Sequence, residues 1–461
     1  MDDPHPLKRL ITRASDQPGP PFEAPPAAFF TDHRHRRRRA TLSVAATVCV
    51  VVVVVVSVTF MTHSRVHHQA MATPNALPTM GSVTAGSLAH YRWSLLPTAP
   101  IESRTSAVGL WTGTQMVIWG GASGRDGEVL HADGATYDPS TRTWSNLPPG
   151  PLSARAQAAS VWTGKSVFIW GGNVGPDVTV ATDGALYTPA DRSWTRVPPA
   201  PVTDYGEVRA FWTGTVVVLL STPAWAGKGA DRVNAQSYDP ASELWTKLPD
   251  LRLPAGHAAD GVVDVGAGGR IYLWSMWSLN TPTGPGSFTT SAGIDSYTFE
   301  VDSRRWVANA LALPDRMASS TPLWNGRDLL LPATFLWLGA GVGGPVPTNV
   351  SGVVVDPATS STRPIVHGPV DDLNAQYLWT GAALLAFNTG TETSDAHGHV
   401  YPGEAAAWDP ATNAWSRLPN APLAANEPVA VWTGKALLIW GQLFTPTSGN
   451  GVITTGLEFG P

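Results

Sequence analysis

The sequence predicts an all-β fold, a seven-bladed β-propeller closed by an N-terminal strand and preceded by one transmembrane helix. Three observations predict it. Two short motifs alternate through residues 90–461 at intervals of about 50 residues, the period of propeller blades rather than of helical repeats. A copy of the second motif stands ahead of the first copy of the first motif, so the repeats begin part-way through a blade. The 22 residues Ala40 to Met61 carry no charge and include the unbroken valine run Val50 to Val56.

Residues 1–39, with Gln17-Pro18-Gly19-Pro20-Pro21 and Pro25-Pro26, lack apolar periodicity and read as a disordered tail. At about 1.5 Å per residue, a helix over residues 40–61 spans about 33 Å, enough for a hydrocarbon core of about 30 Å. An isolated strand in lipid would leave its backbone groups unpaired, so even this valine-rich run reads as helix. Arg34, Arg36, Arg37, Arg38 and Arg39 abut its start, and only Arg65 lies near its end. The positive-inside rule then places the N-terminus in the cytoplasm and the rest of the chain outside a cell membrane. Ala70-Met71-Ala72 has the form of a signal-peptidase site. The long charged region before the span and the distance of that site from Met61 favour an uncleaved, single-pass signal anchor. Residues 62–89 read as a linker.

Composition suits the body. Charged residues make up 14% of the 461, whereas Gly (45), Pro (41) and Trp (20) are abundant, as expected of many short strands joined by tight turns. Residues 1–39 hold eight basic and five acidic residues, so the body is more acidic than the net charge of −5 suggests. A mildly acidic body without a basic stripe argues against nucleic acid as a partner. The one cysteine, Cys49, lies within the span, which excludes an intrachain disulfide and a multi-cysteine metal site.

The first motif reads LWTGTQMVIWGG at Leu110 to Gly121, VWTGKSVFIWGG at Val161 to Gly172 and VWTGKALLIWG at Val431 to Gly441, with weaker copies at Phe211, Pro322 and Leu378. Thr-Gly between two apolar runs supplies the positive φ of a tight hairpin. The second reads YDPSTRTWSNLP at Tyr137 to Pro148, YTPADRSWTRVP at Tyr187 to Pro198, YDPASELWTKLP at Tyr238 to Pro249 and WDPATNAWSRLP at Trp408 to Pro419, with Asp-Pro opening a second turn. Each repeat is thus two hairpins, strands a, b, c and d. The first-motif tryptophans at 111, 162, 212, 324, 379 and 432, with a degraded copy at Val263 to Trp274, count seven. The d-strand tryptophans at 93, 144, 194, 245, 306 and 415, with a Trp-less copy at Ser361 to Val366, count seven again. The early d strand, His90 to Pro97, is expected to complete the blade whose c strand is Val452 to Phe459, leaving no open sheet edge.

Gly120-Gly121 with Tyr137 and Trp144, and Gly171-Gly172 with Tyr187 and Trp194, resemble the blades of the kelch-repeat family, and Gly441 keeps half of the doublet. The resemblance implies a kelch-type propeller over residues 90–461, similar to the central domain of galactose-oxidase-like proteins. Kelch propellers are mostly binding platforms. The copper enzymes among them use a Cys-Tyr crosslink, which a chain whose only cysteine is Cys49 cannot build, so no cofactor is expected.

The a–b and c–d turns are short, while the b–c connections are long: residues 122–133, 173–183, 222–234, 278–294, 334–350 and 388–404. Function is expected on the face that carries them. The position seven residues before each strand-a tryptophan holds Arg104, Arg155, Tyr205 and Asp372, and the position five before holds Gln157, Glu207, Asn374 and Glu427. At period two these project on one side of each strand and offer a polar ring at the channel mouth. Hydrogen bonding to neighbouring blades is the competing role for them. His397 and His399, with Asp395 and Glu404, are weak metal candidates, and no metal is assigned. Trp225, Trp277 and Trp337 stand outside the repeat register and are candidate ligand contacts. The expected function is a non-enzymatic extracytoplasmic module that binds a protein or glycan. The alternative is a carbohydrate-active enzyme in the channel mouth, using Glu207, Glu427 or Asp372 as acid or base with Arg155 as anion clamp.

Overall fold

The structure, a computed structural model, describes residues 82–124, 127–175, 179–203, 206–222, 230–284, 287–309, 311, 317–318, 322–336, 346–370, 375–388, 403–444, 452–453 and 455–461. The tail, the span of residues 40–61 and the linker up to residue 81 lie outside the described residues. No helix among the described residues is long and apolar enough to cross a membrane.

The body is a seven-bladed β-propeller. Blade one consists of Val108–Trp111, Met116–Trp119, Gly134–Asp138 and Thr143–Asn146, and blade two of Ala159–Trp162, Val167–Trp170, Gly184–Thr188 and Ser193–Val197. Blade three is Val208–Trp212, Val217–Ser221, Arg232–Asp239 and Leu244–Lys247, and blade four Ala259–Ala267, Arg270–Gly284, Ser287–Glu300 and Arg305–Ala308. In blade five strand a is described at Met317–Ala318 and Leu323–Trp324, followed by Leu329–Leu336, Val346–Asp356 and Ser361–Pro364. Blade six is Gln376–Trp379, Leu384–Phe387, Gly403–Asp409 and Ala414–Ala421. Blade seven takes Ala424–Trp432, Leu437–Phe444 and Leu457–Gly460 from the end of the chain and its d strand, Arg92–Leu95, from the start. Trp93 lies opposite Phe459 and Leu95 opposite Leu457, so the ring closes as the motif order requires.

Burial explains the strand sequences. The b strands MVIW and VFIW are buried at every position because a blade's central strands are covered on both faces by its neighbours. The outer d strands TWSN and LWTK are exposed except at the tryptophan. Seven apolar clusters result, one for each junction between successive blades. The cluster joining blades seven and one, with Val429, Val431 and Trp440 against Met116, Ile118 and Tyr137, makes the closure as apolar as the other junctions.

The repeated motif residues have repeated duties. In the a–b turns, the hydroxyls of Thr112, Thr163, Thr213, Thr380 and Thr433 each accept the backbone N–H three residues on. Each d-strand tryptophan donates its indole N–H to a carbonyl at or just beyond the end of the preceding blade's d strand: Trp144 to Pro97 (2.9 Å), Trp194 to Pro148 (3.0 Å), Trp245 to Pro198 (2.8 Å), Trp306 to Pro249 (2.9 Å), Trp415 to Val366 (2.7 Å) and Trp93 to Pro419 (2.7 Å). Blade five has Thr362 where the others have this tryptophan, so the four–five junction lacks the bond. Trp194→Phe keeps the ring and loses the donor. It is expected to lower stability by about 1 kcal/mol in urea denaturation without loss of the fold.

Two features depart from the sequence reading. The end of the segment expected as linker belongs to the body: Ala85 and Leu88 of a short helix, Ala85–Leu88, are buried against blades six and seven. Val83 bonds to the a–b turn of blade six, its N–H to the Thr380 carbonyl at 3.2 Å and its carbonyl to the Thr380 hydroxyl at 2.6 Å. The chain therefore reaches the ring on the short-turn face. On the other face, the expected loop of residues 278–294 is a paired extension of strands b and c, with Ser278 opposite Ala292 and Thr281 opposite Thr289. Threonine-rich alternation sustains the ladder beyond the limits of the blade.

Candidate functional site

Among the described residues, two polar clusters are found on the long-loop side of the ring. The first is built where strand a begins in blades one and two. Arg104, 1% exposed, donates Nε to the Glu102 carbonyl (2.9 Å) and Nη1 to the Gly120 carbonyl (3.3 Å) and to Asp133 Oδ1 (2.7 Å). Arg155, also 1% exposed, repeats the pattern with the Ser153 carbonyl (3.0 Å), the Gly171 carbonyl (3.1 Å) and Asp183 Oδ1 (2.8 Å). Each guanidinium pins the start of strand a to the start of strand c in its own blade, and its apolar stem and most of its donors are spent there. The aspartates Asp133 and Asp183, rather than the arginines, reach solvent, with side chains 57% and 43% exposed.

The period-two reasoning fails locally at these positions. Ser106 (φ 53°) and Gln157 (φ 58°) are left-handed, ahead of the strands that begin at Val108 and Ala159. The turn redirects the chain, and the Gln157 N–H donates to the Ser106 carbonyl of the neighbouring blade at 2.9 Å. The Gln157 side chain accepts from Asn173 Nδ2 at 2.6 Å. Non-glycine residues held in this conformation cost about 1–2 kcal/mol and persist where surrounding contacts enforce them.

Around Asp133, blade one gathers three further groups. His131 Nε2 lies 2.8 Å from Ser123 Oγ, His131 Nδ1 lies 3.7 Å from Asp133 Oδ1, and Glu102 is 3.8 Å from the ring. Burial and then the charge of Arg104 hold the imidazole below its ordinary range, outweighing Asp133 and Glu102. Burial works to raise the Asp133 carboxyl, but the hydrogen bond and charge of Arg104 outweigh it and the group is held low.

The second cluster lies between blades three and four. Glu207 Oε2 is 2.8 Å from Arg209 Nη2, Arg209 Nε is 3.1 Å from Asp264 Oδ2, and Arg209 Nη2 also donates to the Val262 carbonyl at 2.9 Å. Asp264 is fully buried, and burial pushes its carboxyl up to about 7 against the pull of Arg209. Val262, Ser275 and Asp295 lie side by side across the ladder of blade four, so this cluster continues outward to Asp295. There, His257 Nδ1 is 2.8 Å from Asp295 Oδ2, and the imidazole stacks on Trp277 with ring centres 3.8 Å apart. Asp260, raised by burial although it accepts from Ser278, completes the group at the foot of the projecting hairpin.

Thus Glu207 stands in an ion pair, which works against a role as a free acid or base. Tyr205, Asp372, Asn374, His397, His399, Trp225 and Trp337 lie outside the described residues, and of Glu427 the structure describes the backbone, within Ala424–Trp432. Glu404 pairs with Arg417 at 3.3 Å. Among the described residues no group of three or more His, Cys, Asp or Glu side chains converges as a metal cage. His131, His257 and Asp264 were missed by motif reading because they carry no repeat signature. Trp277, singled out in the sequence because it breaks the register, stacks on His257.

No family model matches this chain, and no curated protein matches it either.

Proposed function

We propose that this chain is a membrane-anchored, extracytoplasmic binding module of the kelch type that recognises a protein or glycan through its long-loop face. The inequality of the two faces carries this reading. The short-turn face consists of tight hydrogen-bonded turns and receives the N-terminal segment at Thr380. The opposite face bears the His257–Trp277–Asp295 cluster and, above it, the hairpin of residues 278–293, which contains no charged residue. Uncharged hydroxyl and amide groups beside a carboxylate and an aromatic base suit a neutral polar ligand, such as a sugar hydroxyl array or a polar peptide segment. Residues 40–61 supply the anchor, and nucleic acid is not a partner.

A glycan array and a pull-down from the extracytoplasmic fraction, both with the full chain, test the reading. Binding is expected to fall at least about tenfold in Trp277→Ala and His257→Ala, a loss of about 1.4 kcal/mol, with an unchanged melting temperature. A ligand retained by both variants would place recognition elsewhere. For the anchor, the chain is expected to stay in the membrane pellet through alkaline carbonate, with the body digested by protease added outside intact cells. Protection of the body from that protease would reverse the topology.

A further inference from the structure

Blades one and two provide an internal comparison. The same backbone bonds recur in both, with the N–H of His131 donating to the Gly121 carbonyl as that of Ala181 donates to the Gly172 carbonyl, and with Ala122 bridging Thr105 as Asn173 bridges Ala156. The Arg104–Asp133 and Arg155–Asp183 staples also correspond. Yet where blade two has Val174 and Ala181, blade one has Ser123 and His131. The architecture does not require a serine and a histidine there, since blade two is built without them.

We propose that Ser123, His131 and Asp133 form a nucleophilic site for the hydrolysis of short acyl esters, an activity beyond ligand binding at blade four. The serine–imidazole contact carries it. Ser123 Oγ lies 2.8 Å from His131 Nε2, Asp133 Oδ1 lies 3.7 Å from Nδ1, and Glu102 Oε2 lies 3.8 Å from Nε2. With its proton on Nδ1 facing Asp133, the ring presents the Nε2 lone pair to the serine hydroxyl, the arrangement of nucleophile, base and orienting acid that acyl transfer needs. The imidazole, held below its ordinary range by burial and Arg104, is neutral at pH 7 and able to accept a proton. It is also held in place by its backbone, with its N–H on the Gly121 carbonyl at 3.0 Å and its carbonyl accepting from Arg155 N at 3.0 Å. Arg104 keeps Asp133 ionised. Ser123 and His131 are the catalytic groups, and Asp133 and Arg104 are positioning residues.

The reaction balances without a cofactor. Ser123 Oγ bonds to the ester carbonyl carbon as its proton passes to His131 Nε2, and the alcohol leaves with that proton as the carbon–oxygen bond breaks. Water, deprotonated by the same nitrogen, then cleaves the acyl–serine bond and returns the hydroxyl, so that ester and water give acid and alcohol. Ser123 is only 3% exposed, which favours a small acyl group.

The test uses the full chain with p-nitrophenyl acetate, read by turnover and by mass spectrometry of the acetylated serine. The expected result is acetylation mapped to Ser123, lost in His131→Gln, and an acetate-ester turnover that falls about 1000-fold or more in Ser123→Ala. Asp133→Asn removes a charge that raises the imidazole, so the acid limb of its rate profile shifts to lower pH, which a purely structural residue would not cause. Absence of acetylation at Ser123 between about pH 6 and 9, or acetylation that persists in His131→Gln, overturns the proposal.

Discussion

Arg209→Met is expected to destabilise the ring by about 3–5 kcal/mol, whereas the double variant Arg209→Met with Asp264→Leu returns to within about 1 kcal/mol of the parent, as chemical denaturation will read. The single change leaves Asp264, fully buried, without the counterion at 3.1 Å that offsets the cost of ionising it. The double change replaces the pair by apolar contacts of the kind used elsewhere around the ring. At the seven–one junction the same inner contact is made by Val429 against Gly109, where a Cβ on the glycine would fall 2.1 Å from the valine side chain. Among the described residues, neither Asp264 oxygen receives a hydrogen bond and Arg209 Nη1 donates none, so the pair is poorly compensated for its desolvation.

The same group sets a pH dependence. The Asp264 carboxyl stands near pH 7 in the folded chain against 3.8 as its ordinary value, because of burial. Its contribution to stability is therefore complete below about pH 4 and is lost as the pH rises through 7, by on the order of 4 kcal/mol. The Asp264→Leu, Arg209→Met variant should lose that decline between pH 4 and 7. A parent whose stability is flat over this window would show that the carboxyl is not protonated inside the ring.

Truncation gives the second large effect. A chain starting at residue 82 is expected to melt in one cooperative transition, and a chain starting at residue 98 is expected to show none. The second loses the d strand Arg92–Leu95, the Trp93–Phe459 ring contact at 4.8 Å and the Trp93 bond to Pro419. Blade one loses the carbonyls of Pro97 and Leu95, which accept from Trp144 at 2.9 Å and Arg142 at 3.0 Å. Leu457–Gly460 is left as an unpaired edge, so aggregation on calorimetric heating should accompany the loss. Equal melting of the two chains would mean that the ring closes without its N-terminal strand.

Much of this was legible in the chain. The Thr-Gly and Asp-Pro turns, the fully apolar b strands and the single tryptophan of each d strand recur because each solves the same local problem in every blade. Repetition exposes them without any knowledge of which blades touch. Trp277 was legible for the opposite reason, standing where the repeat has no tryptophan.

The amino-acid sequence by itself determined the architecture, the blade count, the closing strand and the face that carries the long connections, because these follow from turn chemistry and strand periodicity within a few residues. Tertiary structure alone decided the burial of Arg104 and Arg155, the left-handed turns at Ser106 and Gln157, and the meetings of Arg209 with Asp264 and of His257 with Asp295. Arg209 and Asp264 belong to different blades, and His257 and Asp295 are 38 residues apart. These contacts exist only once the strands pair and the blades stack, where low dielectric and lost solvent set the energies that no local motif records.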